Sequence, residues 1–452
     1  MKKKRGNTKH LWQARYAKNH LVLEDLHVRY GDFVRTGPSE ITVYHPDVFM
    51  AIDGPQSNCI KAEWYDLLYP KLALVNARDK NTHAARRRQW NRGFSPESLR
   101  QYEEKTLYYL DQLDTCLEDE ARKGRISEIT DLLYWFGFDT MGDFVFNKSF
   151  NMLHDKKWHH IIILLQRALS IMGPLSPIPW LVQIAFKLFP RVWILGDWFR
   201  MVDWCEDQML ERMQTKIPGR VPDVAHYIMQ EAKPSQVNSS WLSGDTVLAI
   251  AAGSEPTAVA LMGIFTELAR HPVHAEKIYQ ETRGLDIRNP GMLATNCPHL
   301  EAVIRETLRL FPALLTGGYR KTLQGGTFVG GTYIPPTRPL SLHDTPYPAT
   351  MRPTTGGDCF ERATEFIPER WYSKPEMVRN KAAYAPWGTG HHSCLGRALA
   401  TDILRLVTAR VVGKYHLRLP PGETGDQVLG DLKDQFTSNP GRLRLKLELR
   451  QG

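Results

Sequence analysis

Apolar residues recur every three to four positions through most of residues 83–311, the period of amphipathic helices. The pattern predicts helices over 83–93, 97–122, 126–145, 156–172, 191–217, 222–231, 244–270, 273–282 and 299–311, most of them separated by Pro96, Gly124, Pro174, Pro177, Pro190, Pro218 and Pro272. Ahead of this block, residues 32–35 and 40–44 alternate with period two around Gly37-Pro38 and predict a small edge sheet. Short strands return over 316–345, with turns at Gly325-Gly326 and Gly330-Gly331. Residues 346–386 are irregular and rich in Pro, Thr and Gly, a length that in a compact chain marks a functional or tightly packed loop. A last helix is expected over 395–413 and a strand over 442–449. The fold class is mainly α with small β-sheets: a single large helical domain with a β-rich edge lobe, without a linker or internal repeat.

A hydrophobic content of 42% fills a sizeable core. No run of eighteen apolar residues occurs, so no bilayer-spanning segment is expected, and the basic start Met1-Lys2-Lys3-Lys4-Arg5-Gly6 is not a signal peptide. The net charge of +9 suits anionic lipid or an acidic protein partner. Nucleic acid is excluded, because no basic module with interleaved aromatics is present. The six cysteines form no CxxC pair and read as reduced, intracellular thiols.

The chemistry concentrates in residues 387–397, where Cys394 is enclosed by Gly388, Gly390 and Gly396 and followed by a helical run. A cysteine at a helix start meets unsatisfied N–H groups and a dipole that favours a thiolate, the form that ligates metals. His392 adds a donor for an anionic group. Trp387, Gly390, His392, Cys394 and Gly396 together resemble the haem-binding loop of the cytochrome P450 family, with Trp in place of the usual Phe. Gly396 is expected to let the flat ring approach.

Three further motifs stand in the family's order. Glu306 and Arg309, three apart on one helix face, resemble its ExxR pair, and the resemblance adds Arg370 as the third member of a buried structural triad bracing the cysteine loop. His83, Arg87 and Trp90 share a helix face and resemble the helix whose basic residues bind the haem propionates; Arg320 is a further candidate. Residues 252–257, Ala-Gly-Ser-Glu-Pro-Thr, resemble the oxygen-activation motif, with Glu255 as the acid, Pro256 replacing the first threonine and Thr257 filling the second. Glu255 and Thr257 are therefore the proton-delivery candidates. Proline removes an N–H and frees the carbonyl of Ala252, which predicts a kink.

The resemblance implies a haem-thiolate monooxygenase over residues 25–452, with 1–24 a basic stub whose membrane anchor is absent or removed. It implies haem b with Cys394 as axial iron ligand, O2 as co-substrate, and electrons from NADPH through a separate flavoprotein reductase. Arg86, Arg88, Arg397 and Arg405 are expected to steer that partner by charge. A monomer is expected, with the full-length form anchored to the endoplasmic reticulum. Substrate walls fall at Leu248, Ala252, Gly253, Leu314, Leu315, Thr316 and Ser438, implying a bulky, mostly hydrophobic substrate. Residues 173–182 read as core, not as a membrane-dipping segment. Residues 30–38, Arg86-Arg87-Arg88 and 253–257 look most like fungal secondary-metabolism members, whereas the loop 351–360 departs from them. Two other readings stay open: a haem-thiolate enzyme without the reductase route (peroxide-driven oxidation, isomerisation or dehydration), motivated by Pro256, and a non-catalytic haem-binding protein.

Overall fold

The computed structural model describes residues 16–37, 40–69, 71–175, 178–214, 224–229, 239–336, 339–342 and 359–451. The initial basic residues and loop positions 351–358 lie outside that set. The helices of ten or more residues, in chain order, are α1 (Asn19–Tyr30), α2 (Lys80–Gly93), α3 (Pro96–Arg122), α4 (Thr130–Phe146), α5 (His160–Leu175), α6 (Pro179–Leu188), α7 (Trp193–Gln214), α8 (Ser239–Arg270), α9 (Pro272–Thr282), α10 (Pro298–Leu310) and α11 (Arg397–Lys414). Their starts follow ordinary capping chemistry. Asp79 accepts from the Thr82 N–H ahead of α2, Ser95 does the same for Ser98 ahead of α3, and proline opens α3, α6, α9 and α10.

Helix α8 is the spine, packed against α4, α7, α10 and α11. Its approach to α4 depends on small residues: a β-carbon on Gly137 would lie 2.9 Å from the Ser254 carbonyl, and the Ser254 hydroxyl donates to the Gly137 carbonyl at 3.1 Å. The stretch Trp241–Arg270 is long and apolar enough to cross a bilayer, with mean hydropathy 1.6, but most of it is buried in the core. The expectation of no such run counted only unbroken apolar residues; the small and hydroxyl residues within α8 do not lower its hydropathy enough.

The edge lobe is a five-stranded sheet in the order β1-β2-β8-β5-β3, from Phe33–Val34, Ile41–Val43, Pro339–Leu342, Gly317–Thr322 and Cys59–Lys61. A second sheet pairs β12 (Arg444–Leu449) with β4 (Ser127–Glu128) and β9 (Tyr415–Arg418), and β6 (Thr327–Val329) pairs with β7 (Thr332–Ile334). The hairpin β10 (Lys433–Gln435) and β11 (Thr437–Asn439) turns at Phe436, whose φ of 75° is left-handed. This hairpin presses on α5, where a β-carbon on Gly173 would stand 2.3 Å from the Asp434 carbonyl.

Two of these eleven helices fall where the periodicity gave no helix. Helix α1 crosses the expected boundary at residue 24, and its Leu23 packs with Val34 and Tyr44. Helix α6 occupies part of the segment read as core. Val182 and Phe186, four apart, turn inward, while Trp180, Ile184 and Leu188 form an exposed apolar stripe that continues through Phe189, Val192 and Trp193. A face that is apolar on both sides defeats a periodicity test. Helix α8 continues through Pro256, which lies inside it.

Candidate active site

The cysteine loop is set by close approach. Gly388 and Gly390 have φ of 64° and 59°, and a β-carbon on Gly390 would lie 1.7 Å from the Asp53 carbonyl oxygen. The Cys394 N–H donates to the Trp387 carbonyl at 2.7 Å, closing the loop ahead of α11. All six cysteines are thiols; five are buried and Cys394 is exposed. Desolvation of its sulfur raises the thiol pKa, opposed by the N–H groups of Gly396 and Arg397 and by the guanidinium of Arg87. Among the described residues, the atoms nearest to a β-carbon on Gly396 would be the Cys394 sulfur and Phe94, each at 3.9 Å.

Beside the loop lies a dense cluster of basic side chains. His83 and His392 rings stand 4.5 Å apart, and Arg87 reaches the His391 carbonyl and the Ser393 hydroxyl only at 3.4 and 3.5 Å. Burial together with neighbouring cations lowers His83 to about 4, His392 to about 2 and Lys61 to about 7. The buried Nδ1 of His392 has no hydrogen-bond partner among the described residues. Crowded basic groups that suppress one another's protonation, with an unpaired ring nitrogen among them, suit an anionic acceptor. Lys61, which the sequence reading missed, belongs here: it is a buried lysine on the inward face of β3 (Cys59–Lys61), donating to the Leu74 carbonyl at 3.0 Å. An inward lysine in a strand is the signal that was available. Arg320 is instead taken by Asp53 in a bidentate pair, both contacts 2.8 Å, and by the Tyr65 hydroxyl at 2.8 Å. Trp90 turns to Phe94, stacked at 6.2 Å.

Along α8, Gly244, Leu248, Ala252 and Pro256 form a less buried stripe at four-residue spacing, and Ala252 is exposed although the helix is central. Thr257 and Glu255 point elsewhere. The Thr257 hydroxyl donates back to the Gly253 carbonyl at 2.8 Å. Glu255 is buried, accepts from the Thr437 hydroxyl at 2.6 Å, and is pushed up to about 7 by desolvation. Tyr134, Gln166, Gln435 and Asn439 complete a cavity of about 20 Å³ around it, room for one water. Gly253 faces Met141 of α4, whose methyl would lie 2.5 Å from a β-carbon there.

Of the other expected wall residues, Leu314 is 44% exposed. Leu315 packs with Leu432, Thr316 donates to Asp434 at 2.5 Å, and Ser438 donates to the Pro312 carbonyl. These three hold the β10–β11 hairpin, whose Phe436 stacks on Trp64 at 5.3 Å.

Glu306, Arg309 and Arg370 are brought together at 0, 0 and 1% exposure. Glu306 accepts from Arg309 Nε and Nη2 at 2.9 and 2.8 Å, Arg370 Nε at 3.0 Å, the Ile367 N–H at 2.9 Å and the Trp371 indole at 2.9 Å. The arginines' other donors reach the carbonyls of Ala363, Glu365, Glu361 and Arg362. Five donors on one carboxylate offset its desolvation and hold its pKa below the usual range. Two arginines expected at a docking face are neutralised internally: Arg86 pairs with buried Asp245 and covers Trp241 at 5.0 Å, and Arg405 pairs with Glu301 and Asp402. Arg88 and Arg397 remain exposed.

A helical body with an edge sheet of this kind matches solved structures in fold. The heme domain of cytochrome P450DA aligns with TM-score 0.75 at 18% identity, covering 96% of this chain and 94% of that one. Another cytochrome P450 crystal structure aligns at 0.78 and 17%, covering 96% and 99%. The cytochrome P450 family profile matches residues 7–447, and the chain belongs to this family. Among curated relatives, cytochrome P450 monooxygenase sthD of Phaeosphaeria nodorum is 34% identical over 94% of this chain and 89% of its own length. Monooxygenase notG' of Aspergillus versicolor is 32% identical over 95% and 77%. Tryprostatin B 6-hydroxylase of Aspergillus fumigatus is 31% identical over 92% and 73%. The chain is thus a cytochrome P450 monooxygenase whose relatives are fungal enzymes of secondary metabolism, and the family works with haem and O2.

Proposed function

We propose that this enzyme inserts one oxygen atom of O2 into a bulky, mostly hydrophobic secondary metabolite, with electrons delivered from NADPH by a separate flavoprotein reductase. The observation that carries the reading is the cluster of basic side chains beside the exposed Cys394, which includes the unpaired Nδ1 of His392. His83, Arg87 and His392, with Lys61 behind them, suit two propionates. Cys394 suits the iron, and Gly396 leaves the ring room. Haem held by a thiolate supplies O–O cleavage and oxygen transfer to a C–H or π bond. The chain's own residues bind, orient and protonate. The Leu248–Ala252–Pro256 stripe offers an apolar wall, and Glu255 holds a proton near neutral pH beside the Thr437 hydroxyl. Thr257, tied to its own helix, does not replace the hydroxyl lost at Pro256.

Exposed Arg88 and Arg397 favour an acidic partner. The apolar stripe of α6 favours a membrane surface, in keeping with an enzyme of the endoplasmic reticulum that meets hydrophobic substrate there. The reading is tested by turnover with reductase, NADPH and isotopically heavy dioxygen. One labelled atom in the product supports it. Product formed with peroxide but never with reductase and O2 contradicts it.

A further inference from the structure

On the side of the molecule where α9, α10 and the turn Pro368–Trp371 meet, two histidines and a carboxylate converge outside the cysteine site. His274 comes from the first turn of α9, His299 from the first turn of α10, and Glu369 from the turn itself. His274 and His299 are 8% and 2% exposed. Their Nδ1 and Nε2 atoms stand 3.1 Å apart, and the Glu369 Oε1 lies 3.9 Å from His274 Nδ1. One ligand atom of each of the three falls within 4.8 Å of the others. Ligand atoms around a tetrahedral zinc, each ~2.0–2.2 Å from the metal, are themselves about 3.3 Å apart.

The surroundings suit a ligand set. The second ring nitrogen of His299, Nδ1, lies 3.1 Å from the Tyr372 hydroxyl, which fixes the ring and directs Nε2 toward His274. Glu281 does not compete, since its carboxylate accepts from the backbone N–H groups of His299 and Leu300 at the start of α10. A surface groove lined by Val273, Lys277, Gln280 and Tyr372 reaches His299 and gives an entry path. At present Lys277 Nζ holds Glu369 at 2.6 Å. That exposed ammonium supplies the positive charge a metal ion would replace.

We propose that His274, His299 and Glu369 form a binding site for a divalent transition metal of the zinc class, with the fourth position open to the groove. Two imidazole nitrogens and one carboxylate suit zinc and disfavour magnesium or calcium, which take oxygen ligands. The site joins three elements, and Glu369 adjoins Arg370 of the buried triad. Metal there clamps the segment that carries the triad.

The test uses the haem-loaded chain, treated with a chelator and desalted, then titrated with zinc chloride by calorimetry. Zinc K-edge absorption reads the ligands, and thermal unfolding by circular dichroism reads the clamp. The site predicts one saturable equivalent at micromolar zinc, imidazole nitrogen in the zinc shell and a raised Tm, with none of these from magnesium. His274→Asn with His299→Gln abolishes the binding. Lys277→Met, which leaves every ligand in place and frees Glu369, tightens it several-fold. No saturable binding in the unmodified chain, binding that survives the double substitution, or binding that Lys277→Met leaves unchanged would overturn the site.

Discussion

The carbonyl oxygen of Asp53 stands where a side chain on Gly390 would have to be, 1.7 Å from the position of its β-carbon. The short helix Val48–Asp53 and the cysteine loop are thereby held backbone to backbone, and Thr389 adds a hydrogen bond to the Phe49 carbonyl at 3.3 Å. Gly390→Ala must push this contact apart and also hold alanine at a φ of 59°. The expected result is a protein of near-native helical content with at least tenfold less bound haem, measured as haem per polypeptide after purification. Full haem occupancy would contradict the close approach.

Glu255 gives a pH dependence whose sign follows from its burial. Its folded pKa of about 7 lies above the ordinary 4.5, so the folded state holds a proton the unfolded chain releases. Relative to low pH, native stability falls as pH rises from about 4.5 through 7, by about 3 kcal/mol for this group. Glu255→Gln removes the penalty. The variant should gain on the wild type across that window and show a constant difference above it, in urea unfolding at a series of pH values. A pH-independent difference would mean that the carboxyl titrates normally.

Breaking the buried triad has a large expected effect. Glu306→Gln leaves two arginines at 0 and 1% exposure without their charge partner, and losing one side of such a pair costs about 3–5 kcal/mol. Urea unfolding should show a loss of that size, with haem lost earlier in the transition than in the wild type. A change under about 1 kcal/mol would show that carbonyl oxygens alone satisfy the arginines.

The four arginines first expected to meet a partner divide in two. Arg86→Ala exposes the charge of buried Asp245 and should lower stability with little change in the salt dependence of reductase-supported turnover. Arg88→Ala with Arg397→Ala should do the reverse, raising the reductase concentration for half-maximal rate and flattening its salt dependence. Stopped-flow reduction across ionic strength distinguishes them.

The cysteine loop was legible because its glycines, His392 and Cys394 are adjacent in the chain, and the helices were legible where one face is apolar. Relationships that depend on distant segments were not. Nothing local to Asp53 indicates that it holds Arg320, 267 residues away. Nothing local to Thr316 or Ser438 indicates that they bond to Asp434 and to the Pro312 carbonyl. Helix α6 was misread because core and exposed faces are both apolar. The partnership of Glu255 with Thr437, 182 residues apart, likewise needed the fold.

The central claim, that the sulfur of Cys394 holds haem iron, is tested most directly by the absorption spectrum of the reduced, carbon monoxide-treated protein. A strongly red-shifted Soret band is predicted for the wild type, and it should vanish in Cys394→Ala. A fully haem-loaded wild-type protein without that band would contradict the account.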